Sequence, residues 1–361
     1  MIFRLLLSTT LLFSTLCSSD ENLTTDEEDY IDKSHREISN YVKELANYID
    51  RTLDENINNY KDKNATKSSY DTNTTIPISS KNSELKEDSI SQNIDTFFQN
   101  KKFINETEKS FIQLITEANI NSLDKSKFKL KLKASLPLSR SKKNVKLFIS
   151  GKQDNIEDFP IADQKTLTNS EIGISVFGSL NKKIGSKYSV GIHGIYPFVR
   201  ARYSIGIDTN LWRIEPVQTF QYSAKDDFTE YTRIYFDTKL TEMTLFRLEL
   251  GRGTKSTEDG MEYDAVLHLF WIPKPKTGLQ FTQIFFGNTK YKYIYNESVV
   301  LEENDTYSGI HNYLTSITWR QSIFRKWLFY ELAPGINFSR DYDYHPNYRM
   351  HIRLDFFFGD I

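Results

Sequence analysis

Several features on which other protein classes depend are scarce in this sequence of 361 residues. Cys17 is the only cysteine, so the mature chain can form neither a disulfide nor a thiolate metal site. No apolar run approaches the roughly 20 residues that a spanning helix needs, which excludes a helical membrane protein. The formal net charge of −2, without an isolated basic block, argues against a nucleic-acid partner.

Residues 1–19 are typical of a secretory signal peptide. Arg4 supplies a positive charge, and a short apolar stretch follows over residues 5–16. Small residues after that stretch favour cleavage just before Asp20. A lipoprotein acylated at Cys17 is the alternative, although Leu16 is larger than the residue that such a site prefers.

Residues 20–108 form a separate segment with helical periodicity. An amphipathic helix is predicted over residues 25–58, and a second helix over residues 83–100. The polar residues 61–82 between them are expected to be a disordered linker. Both helices contain an Ile-Asp pair, Ile49-Asp50 and Ile94-Asp95, which indicates either a repeated unit or chance similarity. The apolar stripe of the first helix consists of Ile38, Val42, Leu45, Ile49 and Leu53.

From residue 109 onward apolar residues recur at every second position, as expected for strands that are apolar on one face. The clearest example is residues 127–138, where Phe128, Leu130 and Leu132 alternate with lysines. The strand lengths are close to the about 9–11 residues of a membrane-crossing strand. Fourteen strands are predicted, at residues 109–120, 127–138, 144–152, 170–181, 185–196, 198–208, 211–223, 228–240, 243–254, 262–272, 278–290, 311–324, 327–338 and 348–358.

The last predicted strand has the pattern of a barrel-closing strand. Ile352, Leu354, Phe356 and Phe358 are apolar and alternate with polar or charged residues. The rest of the chain is too short to form a protein core that covers so many apolar strand faces. Lipid is therefore a better candidate than protein for the surface that these faces contact. This strand resembles the closing strand of Gram-negative outer-membrane β-barrels, which also alternates and ends on aromatic residues. The chain departs from that pattern by continuing through residues 359–361.

The chain is therefore predicted to be an all-β membrane barrel of about fourteen antiparallel strands, with twelve as the alternative count. The barrel would span residues 109–361 and follow N-terminal periplasmic α-helices. An even strand number places both termini in the periplasm and the longest connections, 153–169, 291–310 and 339–347, outside. All four tryptophans then fall in the periplasmic half, which suits their preference for a membrane interface. A soluble two-sheet sandwich is the competing interpretation of the same alternation.

A narrower resemblance rests on the second helix and on the last three strands. The matching residues are similar to those of a group of proteobacterial outer-membrane proteins that carry a short helix before the barrel. The longer N-terminal segment of this chain departs from that group, and the resemblance implies no activity. The matching residues are Ile94-Asp95-Thr96-Phe97-Phe98, Trp319-Arg320-Gln321, Trp327-Leu328-Phe329-Tyr330-Glu331-Leu332-Ala333-Pro334-Gly335 and Phe358-Gly359.

The face opposite the apolar one should line the lumen, where charges can pair or meet water. Such charges predict either an aqueous pore that modestly prefers anions or a cross-linked, plugged interior. Expected partners are outer-membrane lipid, the outer-membrane assembly machinery and, if the chain is an assembly or interaction protein, a periplasmic protein. The predicted lumen charges are Lys127, Lys129, Lys131, Lys133, Arg200, Arg202, Arg233, Arg247, Glu249, Arg320, Glu331, Arg353 and Asp355.

Residues suited to catalysis are also sparse. The chain has six histidines, and it contains no Gly-x-Ser-x-Gly motif, metal-spaced histidine pair or phosphate-binding loop. The best group available is His345 with Asp341 and Asp343, but neighbouring loop carboxylates are usually solvated. We therefore expect no enzymatic activity, no cofactor and no metal, and an outer-membrane hydrolase is the least favoured alternative.

Overall fold

The computed structural model describes residues 30–64, 94–95, 97–98, 110–123, 125–138, 145–151, 170–181, 184–292 and 306–359. Within these residues fourteen strands form one antiparallel sheet, in which each strand pairs with its neighbours in sequence. The strands are β1 (Phe111–Asn121), β2 (Lys127–Leu138), β3 (Val145–Gly151), β4 (Ser170–Asn181), β5 (Ile184–His193), β6 (Tyr196–Ile205, continued by Ile207–Asp208), β7 (Arg213–Ser223), β8 (Asp227–Thr241), β9 (Thr244–Lys255), β10 (Glu262–Lys274), β11 (Thr277–Lys292), β12 (Thr306–Ser322), β13 (Leu328–Ser339) and β14 (Pro346–Gly359).

The sheet closes into a barrel because its first and last strands pair. β1 lies antiparallel to β14, from Phe111 opposite Gly359 to Asn121 opposite Arg349. Both segments of β6 pair with β7, so the other side of the sheet is continuous as well. Closure leaves no sheet edge whose backbone groups would lack partners in lipid. The predicted all-β barrel is confirmed, with fourteen strands rather than twelve.

Most strand boundaries lie close to the predicted residues. β2 and β4 begin and end where the alternation predicts. The largest difference is at β12, which begins at Thr306 instead of residue 311. There β11 and β12 continue pairing as far as Lys292 opposite Thr306. Backbone hydrogen bonds between the two strands therefore extend the ladder beyond the residues that show the alternation.

The N-terminal helix α1 spans Tyr30–Asn64, where a helix over residues 25–58 was expected. Its most buried line is Ser39, Val42, Ala46 and Asp50, whereas Ile38 is 47% exposed. The covered face therefore includes two polar residues that hydrophobicity alone does not select. None of the described helices is long and apolar enough to cross a membrane. Of the predicted second helix, Ile94, Asp95, Phe97 and Phe98 have helical backbone, and residues 65–93 lie outside the described residues.

The two faces of the sheet differ sharply in chemistry. Outward side chains such as Phe128 and Leu130 are apolar and 74% and 71% exposed. Inward side chains include most of the buried charges, among them Arg247 and Asp355. A closed barrel with an apolar exterior and a polar interior is the fold of outer-membrane β-barrel proteins.

The two ends of the barrel also differ. At the terminal end, where β1 begins and β14 ends, short connections such as residues 242–243 and 275–276 join the strands. The opposite end carries the long connections 152–169 and 293–305. Aromatic pairs lie at the terminal end, with ring centroids 5.4 Å apart for Trp319 and Tyr330 and 6.5 Å apart for Trp327 and Phe356.

Candidate functional site

The inward faces of β14 and of β1–β6, which we call the basic half of the lumen, carry most of the predicted lumen charges. Strand register places ten cationic side chains there, against four carboxylates, among the described residues. The cations are Lys127, Lys129, Lys131, Lys133, Lys146, Lys187, Arg200, Arg202, Arg349 and Arg353, and the carboxylates are Glu117, Glu171, Asp208 and Asp355.

The four lysines of β2 form the longest part of the basic half. Each pairs across the ladder with an inward residue of β1, from Lys127 opposite Asn119 to Lys133 opposite Gln113. The ammonium Nζ of Lys131 lies 2.8 Å from Glu117, and the Lys131 side chain is 40% exposed. All four lysines are only partly buried, whereas Arg200, Arg202, Arg247 and Arg320 are buried.

Several arginines of the lumen are paired with carboxylates. Arg233 lies 2.9 Å from Glu249 and 3.2 Å from Asp264, so one guanidinium links β8, β9 and β10. Arg200, which is buried, lies 2.7 Å from Glu171. Guanidinium groups suit this role because they donate several hydrogen bonds in one plane. These pairs cross-link neighbouring strands on the inside of the barrel.

A short helical turn of the N-terminal segment is bound inside the terminal end of the barrel. This docked turn consists of Ile94, Asp95, Phe97 and Phe98. Its carboxylate accepts two hydrogen bonds from Arg247, at 2.6 and 3.0 Å. The same guanidinium donates to Asp237 on β8 at 2.6 and 2.8 Å. Arg247 is 1% exposed, so both carboxylates neutralise a charge that water does not reach.

Apolar contacts complete the binding of the docked turn. Ile94 and Phe98 form a buried cluster with Leu245 and Phe270 of the wall. Gly278 on β11 lies beneath the docked turn, because a Cβ at that position would come within 2.6 Å of the Phe97 ring. A glycine therefore provides the space into which the turn packs.

Arg320 joins the docked turn to the closing strands. Its Nε donates to the backbone carbonyl of Phe97 at 2.7 Å. Its other nitrogens lie 3.1 Å from Glu331 on β13 and 2.6 Å from Asp355 on β14. Arg353 also donates to Asp355, at 2.7 Å. The last three strands and the docked turn thus share one network of buried charges.

The residues predicted to close the barrel lie on the outer face of β14. Ile352, Leu354, Phe356 and Phe358 stand opposite Ala118, Thr116, Leu114 and Ile112 of β1. Lys146 and Lys187 are lumen charges that were not predicted from the sequence. Alternation within their strands could have indicated them, but each is an isolated cation in its own strand. Asp95 was not predicted to have a role either, because its partner Arg247 is 152 residues away in the sequence.

The strongest catalytic group from the sequence does not form an acid–base arrangement in the structure. Nδ1 of His345 lies 2.9 Å from the backbone carbonyl of Tyr342. Asp341 and Asp343 belong to the same turn, in which Asp343 ends a 3₁₀-helix with a positive φ. Among the described residues, no cluster of three or more His, Cys, Asp or Glu could hold a metal ion.

No family model matches this chain, and no curated protein matches it. Among solved structures it is similar to the porin NanC, with 7% identity, a TM-score of 0.34 and coverage of 67% of this chain and 98% of that one. OmpT, an outer-membrane protein of Vibrio cholerae, shows 8% identity and a TM-score of 0.41, with 69% and 97% covered. The channel DcaP of Acinetobacter baumannii shows 9% identity and a TM-score of 0.39, with 69% and 96% covered. Likeness at this level carries no argument about activity.

Proposed function

We propose that the chain is an outer-membrane β-barrel that conducts small solutes modestly and prefers anions. The observation that carries this proposal is the excess of ten cationic side chains over four carboxylates in the basic half of the lumen. A low-dielectric wall around such charges concentrates anions and repels cations. The docked turn narrows the terminal end, which keeps the conductance small.

The apolar exterior and the connections support the orientation that belongs to this proposal. Outer-membrane barrels have short periplasmic turns and longer outer loops. The terminal end would therefore face the periplasm, together with α1 and both ends of the chain. Lipid would contact the outer face, the assembly machinery would recognise β14, and a periplasmic protein could bind α1.

Reversing the charge of the lysine strand tests the pore. Lys127, Lys129, Lys131 and Lys133 are all changed to Glu, and reversal potentials are measured in planar bilayers under a salt gradient. The preference for anions should weaken or reverse. Because Glu beside Glu117 introduces repulsion, a second variant changes the four lysines to Gln and should only weaken the preference.

A matched control changes four lysines outside the basic half to Glu, which alters the net charge equally. Lys225, Lys274, Lys276 and Lys290 are exposed at turns and strand ends and serve this purpose. This control should keep the anion preference. Equal selectivity in all variants would show that the lysine strand does not line the conducting path.

A plugged scaffold is the second candidate function, because a specific set of contacts favours it. Arg247 and Arg320 are almost fully buried and bind the docked turn directly. In this case the chain would act as an assembly or interaction protein through α1. If planar bilayers with a confirmed folded barrel show no conductance across a range of voltages, this second candidate would be supported.

A further inference from the structure

Two buried polar side chains near the terminal end have no hydrogen-bond partner among the described residues. Gln113 on β1 is 0% exposed, and neither its amide nitrogen nor its amide oxygen has a partner in the part of the chain that the structure describes. Ser135 on β2 is 2% exposed, and its hydroxyl also lacks a described partner. Buried polar groups normally have a hydrogen-bond partner, so we expect these atoms to bind a group that is not among the described residues.

The strand register brings the two side chains together around a lysine. Gln113 stands opposite Lys133, and Ser135 is the next inward residue of the same strand. Lys133 forms no ion pair or hydrogen bond with a described residue. The nearby acid Glu117 is held by Lys131 at 2.8 Å.

The other carboxylate near Lys133 is also occupied. Asp355 is bound by Arg320 at 2.6 Å and by Arg353 at 2.7 Å. Apolar side chains lie here as well, with Ile115 fully buried and the rings of Phe111 and Phe357 6.4 Å apart. A cation in such surroundings favours a counter-charge because water screens it poorly.

The unpaired atoms define what a ligand must offer. The Lys133 ammonium, the Ser135 hydroxyl and the Gln113 amide NH₂ can donate, while the Gln113 carbonyl can only accept. We propose that Gln113, Lys133 and Ser135 form a binding site for a small oxyanion that carries one hydroxyl group, of which hydrogenphosphate is the simplest. The oxyanion accepts from the three donors, and its hydroxyl donates to the Gln113 carbonyl.

This inference deepens the proposed anion pathway, but binding is measured without conduction. The folded full-length protein in detergent is titrated with inorganic phosphate at constant ionic strength, and binding is followed by calorimetry. Saturable binding is expected in the wild type. Sulfate has the same shape but no hydroxyl to donate, so it should bind at least about tenfold more weakly.

Three variants assign the site, after heat-dependent gel mobility has shown that each barrel is folded. Lys133→Met and Gln113→Met should each weaken phosphate binding about tenfold or more, through the loss of buried hydrogen bonds. Lys225→Met removes a lysine from an exposed turn outside the basic half and should leave binding unchanged. If Gln113→Met fails to fold, Ser135→Ala replaces it and should also weaken binding.

Each outcome has a definite meaning. No saturable phosphate binding, or binding that survives Lys133→Met and Gln113→Met, overturns the site and leaves water as the partner of these atoms. Sulfate that binds as tightly as phosphate overturns the role of the Gln113 carbonyl. Phosphate binding that requires Lys133 and Gln113 in a barrel that does not conduct supports this site and refutes the proposed pore alone.

Discussion

The docked turn should leave the lumen when its carboxylate is neutralised. In Asp95→Asn, Arg247 loses one of its two carboxylates but keeps Asp237. Asp95 accepts two charged hydrogen bonds, and such bonds contribute about 1.5–3 kcal/mol each. Because Asp237 still neutralises part of the charge, we take the lower end of their sum, about 3 kcal/mol. At 1.4 kcal/mol per factor of ten, this corresponds to roughly a hundredfold increase in the undocked state.

Two measurements follow the undocking. Hydrogen exchange of the peptide that contains residues 94–98 should accelerate by about the same factor of roughly a hundred, because opening of the docked turn governs its protection. In planar bilayers, Asp95→Asn should conduct more than the wild type, since the terminal end is less often occupied.

A matched control uses the neighbouring cluster. Asp264→Asn likewise removes one of two carboxylates from a partly buried arginine, Arg233, which keeps Glu249. It does not touch the docked turn and should leave both measurements unchanged. Gly278→Val offers an independent route, because its side chain would collide with the Phe97 ring. Unaltered exchange in both Asp95→Asn and Gly278→Val would refute the role of these contacts in holding the turn.

Two further predictions concern the barrel as a whole. The protein should fractionate with outer membranes and change its gel mobility on boiling, and recovery as a soluble periplasmic monomer would end the membrane interpretation. Replacing Phe356 and Phe358 with Asp should prevent assembly, since charge would enter lipid on the closing strand, whereas Tyr344→Asp in an exposed turn should assemble. Normal assembly of the double variant would show that this face does not meet lipid.

Local periodicity explains why so much of the barrel could be predicted. In β2 the lysines alternate with apolar residues, and this alone separates one face from the other. The same rule places Phe356 and Phe358 outside and Asp355 inside. The number of strands follows from repeating this local rule along the chain. The requirement for an even number, together with the alternation of short and long connections, supports the same count.

The docked turn could not be predicted because its partners are distant in sequence. Asp95 belongs to a helical stretch with no feature that points to Arg247 on β9. Its pairing depends on how far the N-terminal segment enters the barrel, which no local pattern encodes. Asp50, in the Ile-Asp pair of α1, is also buried, although hydrophobic periodicity does not select it.

The sequence by itself determined which residues share a face, because side chains alternate along every extended backbone. Only the tertiary structure decided which faces meet. Lys146 and Lys187 are isolated cations in their own strands, and they join the lysines of β2 only when the register and the barrel curvature bring β2 to β5 together. Lys133, Gln113 and Ser135 became neighbours in the same way, since cross-strand contacts depend on pairing that the alternation within one strand does not specify.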